Sequence, residues 1–484
     1  MINLIKEKFK NNRDSFQLYL GNSIVSIFTF LSIALLSHFL VPNEYGSFRY
    51  MLMVMSIAVS LGTLGFSQAI FYYLNTSKTA QLAYDYINAL RVGMLISSVV
   101  VVLLLSIYLW VTNSMSSFFD WNKYYIWVVL LIIPGIFQSA ELNMFLSMRR
   151  VGAYFLNTLT IQTIKLGLIF IAFTVKASLI HYVLILTITG VAPSIINNIY
   201  IQRFFKEEHF AFHKELLHNL WRYGLPIGIG LFFGVIMTHT DKLLLSYLLN
   251  DSVSIARISN GNFEVPLITV FYTSFSAIAF PFMLKAYNDG NIKELLRVRN
   301  NYQREVTLIL YPIVVALIAW SPSFIPLVFG SDYQSSAIFF AIYAITFFYR
   351  FNSYHDIFLI TNKTKYISII QGIELVFHIG LTYVLISKYG LIGASIAHLI
   401  TNTIYAFVCT LISKVILKVR MLDIIPFWYL YKIVFIATLM MFPFYFVSFY
   451  FKSDIVRILI AVVYVVTSIL LLYKLEAKKE EATS

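Results

Sequence analysis

An ionisable side chain in the middle of a long apolar run costs about 2.5 to 3.5 kcal/mol to hold in a bilayer, so it must face water, a partner or a cargo. Lys165 is such a residue. Thr158, Gln162 and Lys165 follow one another by steps of four and three in the apolar run Tyr154 to Val175, so they share one helical stripe. An ammonium beside an amide and a hydroxyl suits phosphate, or locks onto a carboxylate. Gln371, Glu374, His378 and Thr382 make a second stripe, in the run Tyr366 to Ser387. A carboxylate and an imidazole one turn apart can take up a proton or a sodium ion, or simply satisfy each other. Arg350 lies well inside the run Ser335 to Ile360, with His355 and Asp356 a turn or two on. Its guanidinium can hold two phosphate oxygens at once. Glu264 stands two residues before Pro266 and one turn after Asn260. There the missing backbone donor opens the helix and makes room for an ion or hydroxyl. Asp241 and Lys242 lie nearer the end of their run, where a lysine can snorkel, and Arg49 follows a turn at interfacial depth.

Other chemistries lack their residues. His209 and His213 have the spacing of a metal pair and Glu208 and His218 lie close by, but no HExxH is present and the segment reads as a solvated helix, so no metal site is assigned. No GxxxxGK[ST] phosphate loop occurs, so any pumping draws on an ion gradient or on substrate concentration. The two long polar gaps, Arg203 to Gly224 and Lys285 to Arg304, are too short for a folded soluble domain. No catalytic residue is assigned and no enzyme is expected.

The elements that position these residues are membrane helices. With 59% hydrophobic and 12% charged residues and a mean hydropathy of +0.77, the chain has too little polar surface to cover itself in water. Its net charge of +13 does not point to nucleic acid, because Lys and Arg sit in short clusters between apolar runs. The expected fold is an all-α integral membrane protein of about fourteen transmembrane helices. Residues 1–205 form an N-lobe of six spans, 206–222 a cytoplasmic hinge, 223–420 a C-lobe of six spans, and 421–484 two further spans with a charged tail. A basic lead-in carrying Lys6, Lys8, Lys10 and Arg13 precedes the first span. The loops expected inside hold most of the Lys and Arg, which puts both termini in the cytoplasm. SMRRVGAY at Ser147 to Tyr154 and LITNKTKY at Leu359 to Tyr366 are related by an offset of about 212 residues, which implies two parallel six-helix lobes about a pseudo-two-fold. That offset lays Gln162 over Glu374, so a cavity between lobes would have a cation on one side and a carboxylate with histidine on the other.

Several short motifs, in order, carry a family resemblance: LVPNEYG at Leu40 to Gly46, LGTLGF at Leu61 to Phe66, YGLP at Tyr223 to Pro226, DKLLLS at Asp241 to Ser246, FGSDY at Phe329 to Tyr333 and KYGLIGAS at Lys388 to Ser395. Up to about Arg420 the chain resembles the polysaccharide flippase (Wzx-type, O-antigen transporter) branch of the multidrug/oligosaccharidyl-lipid/polysaccharide exporter superfamily. It departs from that pattern at Ser254 to Arg257, where relatives have Gly-x-Tyr. The resemblance implies a bacterial inner-membrane carrier that turns an undecaprenyl-diphosphate-linked oligosaccharide, an O-antigen or capsule repeat unit, from the cytoplasmic to the periplasmic leaflet by alternating access. A proton or sodium gradient would couple it, with no cofactor. Its partners would be the lipid-linked oligosaccharide and membrane lipid, with a polysaccharide polymerase and chain-length regulator downstream, and the chain would act as a monomer. On this reading Lys165, Arg350, Arg49 and Gln162 line the diphosphate and glycan cavity, and Glu374, His378, Glu264 and Asp241 couple the ion. The alternatives are a drug or cation antiporter of the same superfamily, and a membrane-embedded enzyme on polyprenyl-linked sugars.

Overall fold

The computed structural model of the chain describes residues 13–112, 118–205, 209, 211–352 and 354–483. Of the residues named above, Lys6, Lys8, Lys10 and Glu208 lie outside them. Among the described residues the regular elements are helices, and there are no strands. The chain divides into two compact units, the first running to Ala256 and the second beginning at Arg257.

The first unit contains α1 (Arg13–Phe39), α2 (Pro42–Thr63), α3 (Phe66–Thr76), α4 (Ala80–Thr112), α5 (Trp121–Ser147), α6 (Val151–Thr174), α7 (Leu179–Phe204) and α8 (Lys214–Leu248), and α9 (Ser252–Gly261) carries the boundary. Pro42 starts α2 at a position where its missing N–H would be unpaired in any case. The helices α2 and α3 are together long and apolar enough to cross a membrane and meet at a bend of 40°. The bend sits at Leu64 and Gly65, both in left-handed backbone with φ of 35° and 80°. Here the chain meets α8 backbone to backbone. A Cβ on Gly65 would lie 2.0 Å from the Gly224 carbonyl oxygen, and one on Gly228 would lie 2.1 Å from the Leu64 carbonyl carbon. Only glycine permits so close an approach.

The second unit contains α10 (Pro266–Asn288), α11 (Ile292–Ala319), α12 (Ser321–Phe329), α13 (Ser336–Ala344), α14 (Phe347–Arg350), α15 (His355–Ile360), α16 (Lys365–Tyr389), α17 (Leu391–Leu417), α18 (Met421–Ile424), α19 (Phe427–Phe449) and α20 (Asp454–Thr483). The helix α11 is its core, with Tyr302, Val306, Tyr311 and Val314 buried. Leu430 and Ile433 of α19 and Leu472 of α20 belong to the same apolar cluster, so the last two helices pack on α11. Trp320 extends that contact edge-on to Tyr445, with ring centroids 5.4 Å apart. The single cysteine, Cys409, is enclosed with Phe358 and Ile370.

Twelve of the described helices are long and apolar enough to cross a membrane, or thirteen with the bent pair taken as one span. The tenth apolar run accounts for the difference from fourteen, because it folds as three short helices, α13, α14 and α15. Freed backbone carbonyls are costly away from water unless side chains satisfy them. The helix α11 supplies the donors: Tyr311 Oη donates to the Phe348 carbonyl at 2.8 Å, Tyr302 Oη to Phe351 at 2.5 Å and Arg299 Nη2 to Asn352 at 2.5 Å.

Candidate functional site

Within the first unit, α2, α5, α6 and α7 enclose a cavity of about 190 Å³. Thr158, Gln162 and Lys165, the stripe expected from spacing, line it from α6, and Glu141 of α5 and Asn197 of α7 complete it. Glu141 is only 2% exposed. Its Oε2 accepts from Asn197 Nδ2 at 2.5 Å, and Asn197 Oδ1 accepts from Asn157 Nδ2 at 2.7 Å. Glu141 Oε1 and Gln162 Oε1 have no protein donor. Pro193, also in the wall, cannot donate to the carbonyl one turn back. Lys165 and Glu141 thus line one cavity without an ion pair within 4.0 Å among the described residues. The cavity holds two carbonyl-type oxygens without a protein donor and, further along α6, the Lys165 ammonium, a set that can hold a small cation or proton. Glu141 stands in the last turns of α5, and its place in this cavity depends on how α5, α6 and α7 pack.

In the second unit Arg350 is gripped on two sides. Its Nη2 lies 3.1 Å from Glu264 Oε1, and its Nη1 donates to Tyr343 Oη at 2.8 Å. The guanidinium carbon lies 5.9 Å from the ring centroids of Tyr343 and of Phe347. Glu264 also accepts from Thr269 Oγ1 at 2.9 Å. It stands in the break between α9 and α10, where Pro266 begins a new helix. Both members of the pair are partly exposed, 27% for the Arg350 side chain and 42% for that of Glu264, so a competing ion can reach them. The grouping of Arg350 with His355 and Asp356 is not formed. The helix stops after Arg350 and resumes at His355, so helical spacing no longer applies; Asp356 instead accepts from Ser276 Oγ at 2.9 Å, and His355 Nε2 bonds Tyr405 Oη.

His378 is fully buried. Its Nδ1 lies 3.1 Å from Thr401 Oγ1 and 3.4 Å from Thr382 Oγ1, and Glu374 is buried one turn earlier on α16. A residue the sequence reading passed over links the two clusters. The ring of His398 on α17 lies 5.9 Å from that of His378 and 5.1 Å from that of Tyr343. Glu264, Arg350, Tyr343, His398 and His378 therefore form a continuous series of polar groups through this unit. An ionisable residue inside an apolar run was the signal that would have found His398.

The remaining candidates are held locally. Asp241 and Lys242 are buried, with Oδ1 and Nζ 3.4 Å apart, and Lys242 Nζ also donates to the Thr238 carbonyl at 3.1 Å. Arg49 Nη1 donates to Tyr45 Oη at 3.3 Å and the guanidinium sits 5.8 Å from that ring's centroid. His213, in the polar gap before α8, lies 3.9 Å from Asp85. Arg299 and Gln303 of α11, also unremarked in the sequence, are buried with side-chain atoms that have no protein partner.

Comparison with known proteins bears on both the fold and the sites. A family model described as "Polysaccharide biosynthesis protein" matches residues 12–286. A curated relative, an uncharacterized membrane protein of Methanocaldococcus jannaschii, is 27% identical over 202 residues, which is 40% of this chain and only 38% of that protein. Among solved structures, the lipid II flippase MurJ in an inward closed conformation superposes with a TM-score of 0.70 at 16% identity, over 95% of this chain and 98% of that one. An inward-facing multidrug resistance MATE family transporter of the MOP superfamily gives 0.63 at 15% identity, over 81% of this chain and 94% of that one. At such identities the likeness is one of fold.

Proposed function

The chain belongs to the polysaccharide biosynthesis protein family, and from that premise we propose that it is a flippase that carries a polyprenyl-diphosphate-linked oligosaccharide from the cytoplasmic to the outer leaflet by alternating access. It works in a cytoplasmic membrane with both termini inside, and draws on a proton or sodium gradient. The observation that carries this reading is the exchangeable ion pair between Arg350 and Glu264 at a broken helix. A diphosphate carries more negative charge and more acceptor oxygens than a single carboxylate, so it competes with Glu264 for the two parallel donors of the guanidinium. When the diphosphate arrives, Arg350 turns to it and Glu264 is released. The freed carboxylate then takes up a proton or sodium ion, so cargo and coupling ion meet at one pair. Lys165 and Gln162 serve the same cargo from the first unit, and Glu374 with His378 extends the ion path.

One observation favours a second reading. Glu141, enclosed with an open oxygen in the cavity that Lys165 also lines, is the acid in the first unit that an antiporter of small cations would need. The test is flipping in sealed proteoliposomes, with the exposed sugar of a polyprenyl-diphosphate oligosaccharide titrated by an impermeant reagent. The expected result is protein-dependent protection that Arg350→Ala and Lys165→Ala each slow at least roughly tenfold, the loss of one charge-assisted contact. Unchanged flipping in both variants would discard the site. Exchange of an organic cation without any flipping would establish the second reading.

A further inference from the structure

At one end of the second unit, the end that the basic loops assign to the cytoplasm, α11 and the turn joining α17 to α19 enclose a pocket of about 900 Å³. None of the ionisable groups discussed above lines it. Lys293, Arg297 and Arg304 line it from one stripe of α11, and Lys418 and Arg420 from the turn. Lys418 ends α17 in left-handed backbone, φ 54°, which turns the chain back toward α11. Against these five cations the wall holds one carboxylate, Asp423.

The existing partners leave an excess of charge. Arg297 is held by Glu294 at 2.7 Å, and Arg420 by Asp423 at 3.2 Å. Arg304 lies 5.1 Å from the Tyr429 ring centroid. Among the described residues no carboxylate lies within 4.0 Å of Lys293 or Lys418. The other half of the wall is apolar and turned outward: Leu422, Phe427 and Trp428 are 59%, 55% and 73% exposed. An exposed tryptophan beside cations at the end of a span is the arrangement of a membrane interface. From Phe427 an exposed stripe continues along α19 through Tyr431, Phe435 and Leu439 at steps of four. Cations at headgroup depth thus lead directly into an apolar track at acyl depth.

We propose that this pocket binds the phosphate headgroup of an anionic glycerophospholipid of the inner leaflet, with one acyl chain along the Phe427 to Leu439 stripe. Charge complementarity sets the headgroup, since basic pockets between spans on the cytoplasmic side select anionic lipid. The stripe sets the lipid over a free phosphate. A glycerophospholipid is preferred to the lipid-linked cargo because the stripe leading from the pocket is exposed along α19 and the pocket includes none of the groups assigned to the cargo. The site stands whether or not the chain is a flippase.

The test is native mass spectrometry of the full chain, released from nanodiscs of phosphatidylcholine with increasing phosphatidylglycerol. One retained phosphatidylglycerol is expected, weakened roughly 30-fold in Lys293→Gln/Lys418→Gln at about fivefold per cation removed. Lys363→Gln/Lys365→Gln, in another basic turn, should retain it. Both substituted pocket lysines are exposed, and an unchanged melting temperature would show that the variant is folded. Equal retention of phosphatidylcholine, or phosphatidylglycerol retention unaffected by the pocket variant, would overturn the proposal. Displacement by millimolar inorganic diphosphate would reassign the pocket to a soluble anion, and displacement by equimolar polyprenyl diphosphate to the cargo.

Discussion

Arg350 and Glu264 make the most testable contact at the scale of single residues. If each is the other's principal partner, Arg350→Ala lowers the melting temperature more than Arg350→Ala/Glu264→Ala does, because the single change leaves the Glu264 carboxylate without its cation. Thermal unfolding of the two variants in detergent measures the difference, and equal shifts would mean that the pair contributes no coupling. Half of this site was readable from the chain alone. Lys165, Glu374 and Arg350 announce themselves because a charge inside an apolar run has few bland explanations. The pairing of Arg350 with Glu264 does not, since Glu264 lies in the break before α10 and Arg350 at the end of α14, and no local spacing relates them. Glu141 shares a cavity with Lys165 only through the packing of α5, α6 and α7, which no local spacing encodes. His398 is a plain omission, visible to the same filter that found His378.

Breaks are what distinguish the helices of this chain from simple spans. Apolar length marks Tyr50 to Leu74 and Ser335 to Ile360, the second and tenth runs, as crossing segments and cannot mark where they bend. The bend after α2 depends on glycine in both strands of the contact, which gives a sharp expectation. Gly65→Ala and Gly228→Ala should each destabilise by more than about 1 kcal/mol, since one forces alanine into φ near +80° and both drive Cβ into backbone. Gly234→Ala is the control, with nothing within 4 Å of the added methyl. It should be neutral or stabilise by up to about 1 kcal/mol through helix propensity. Melting curves of the three variants decide it, and equal behaviour would remove the close approach as a determinant of the bend. The tenth run breaks for a different reason. Tyr302, Tyr311 and Arg299 offer donors from a neighbouring helix, and this tertiary compensation leaves no mark in the broken segment's own sequence.

For the whole molecule, orientation is the property on which the functional proposal leans most. The distribution of Lys and Arg predicts that the two ends of α16 face opposite sides, with Lys363 inside and Lys388 outside. In intact cells an impermeant maleimide should therefore label Lys388→Cys and leave Lys363→Cys untouched until the membrane is opened. The reverse pattern would invert the chain and with it the direction of transport. The overall class, all-helical and membrane-spanning, was fixed by composition and run length, because no other fold hides so many apolar residues in so few polar ones.

Cys409 is the only thiol in the chain and has no exposure to solvent. The natural sequence is thus its own silent background for such labelling, with no residue to remove first. The same enclosure makes Cys409 an internal clock. A thiol reagent in excess can modify it only as fast as the packing around Phe358 and Ile370 opens, so the wild-type chain reports the lifetime of its own second unit without any substitution.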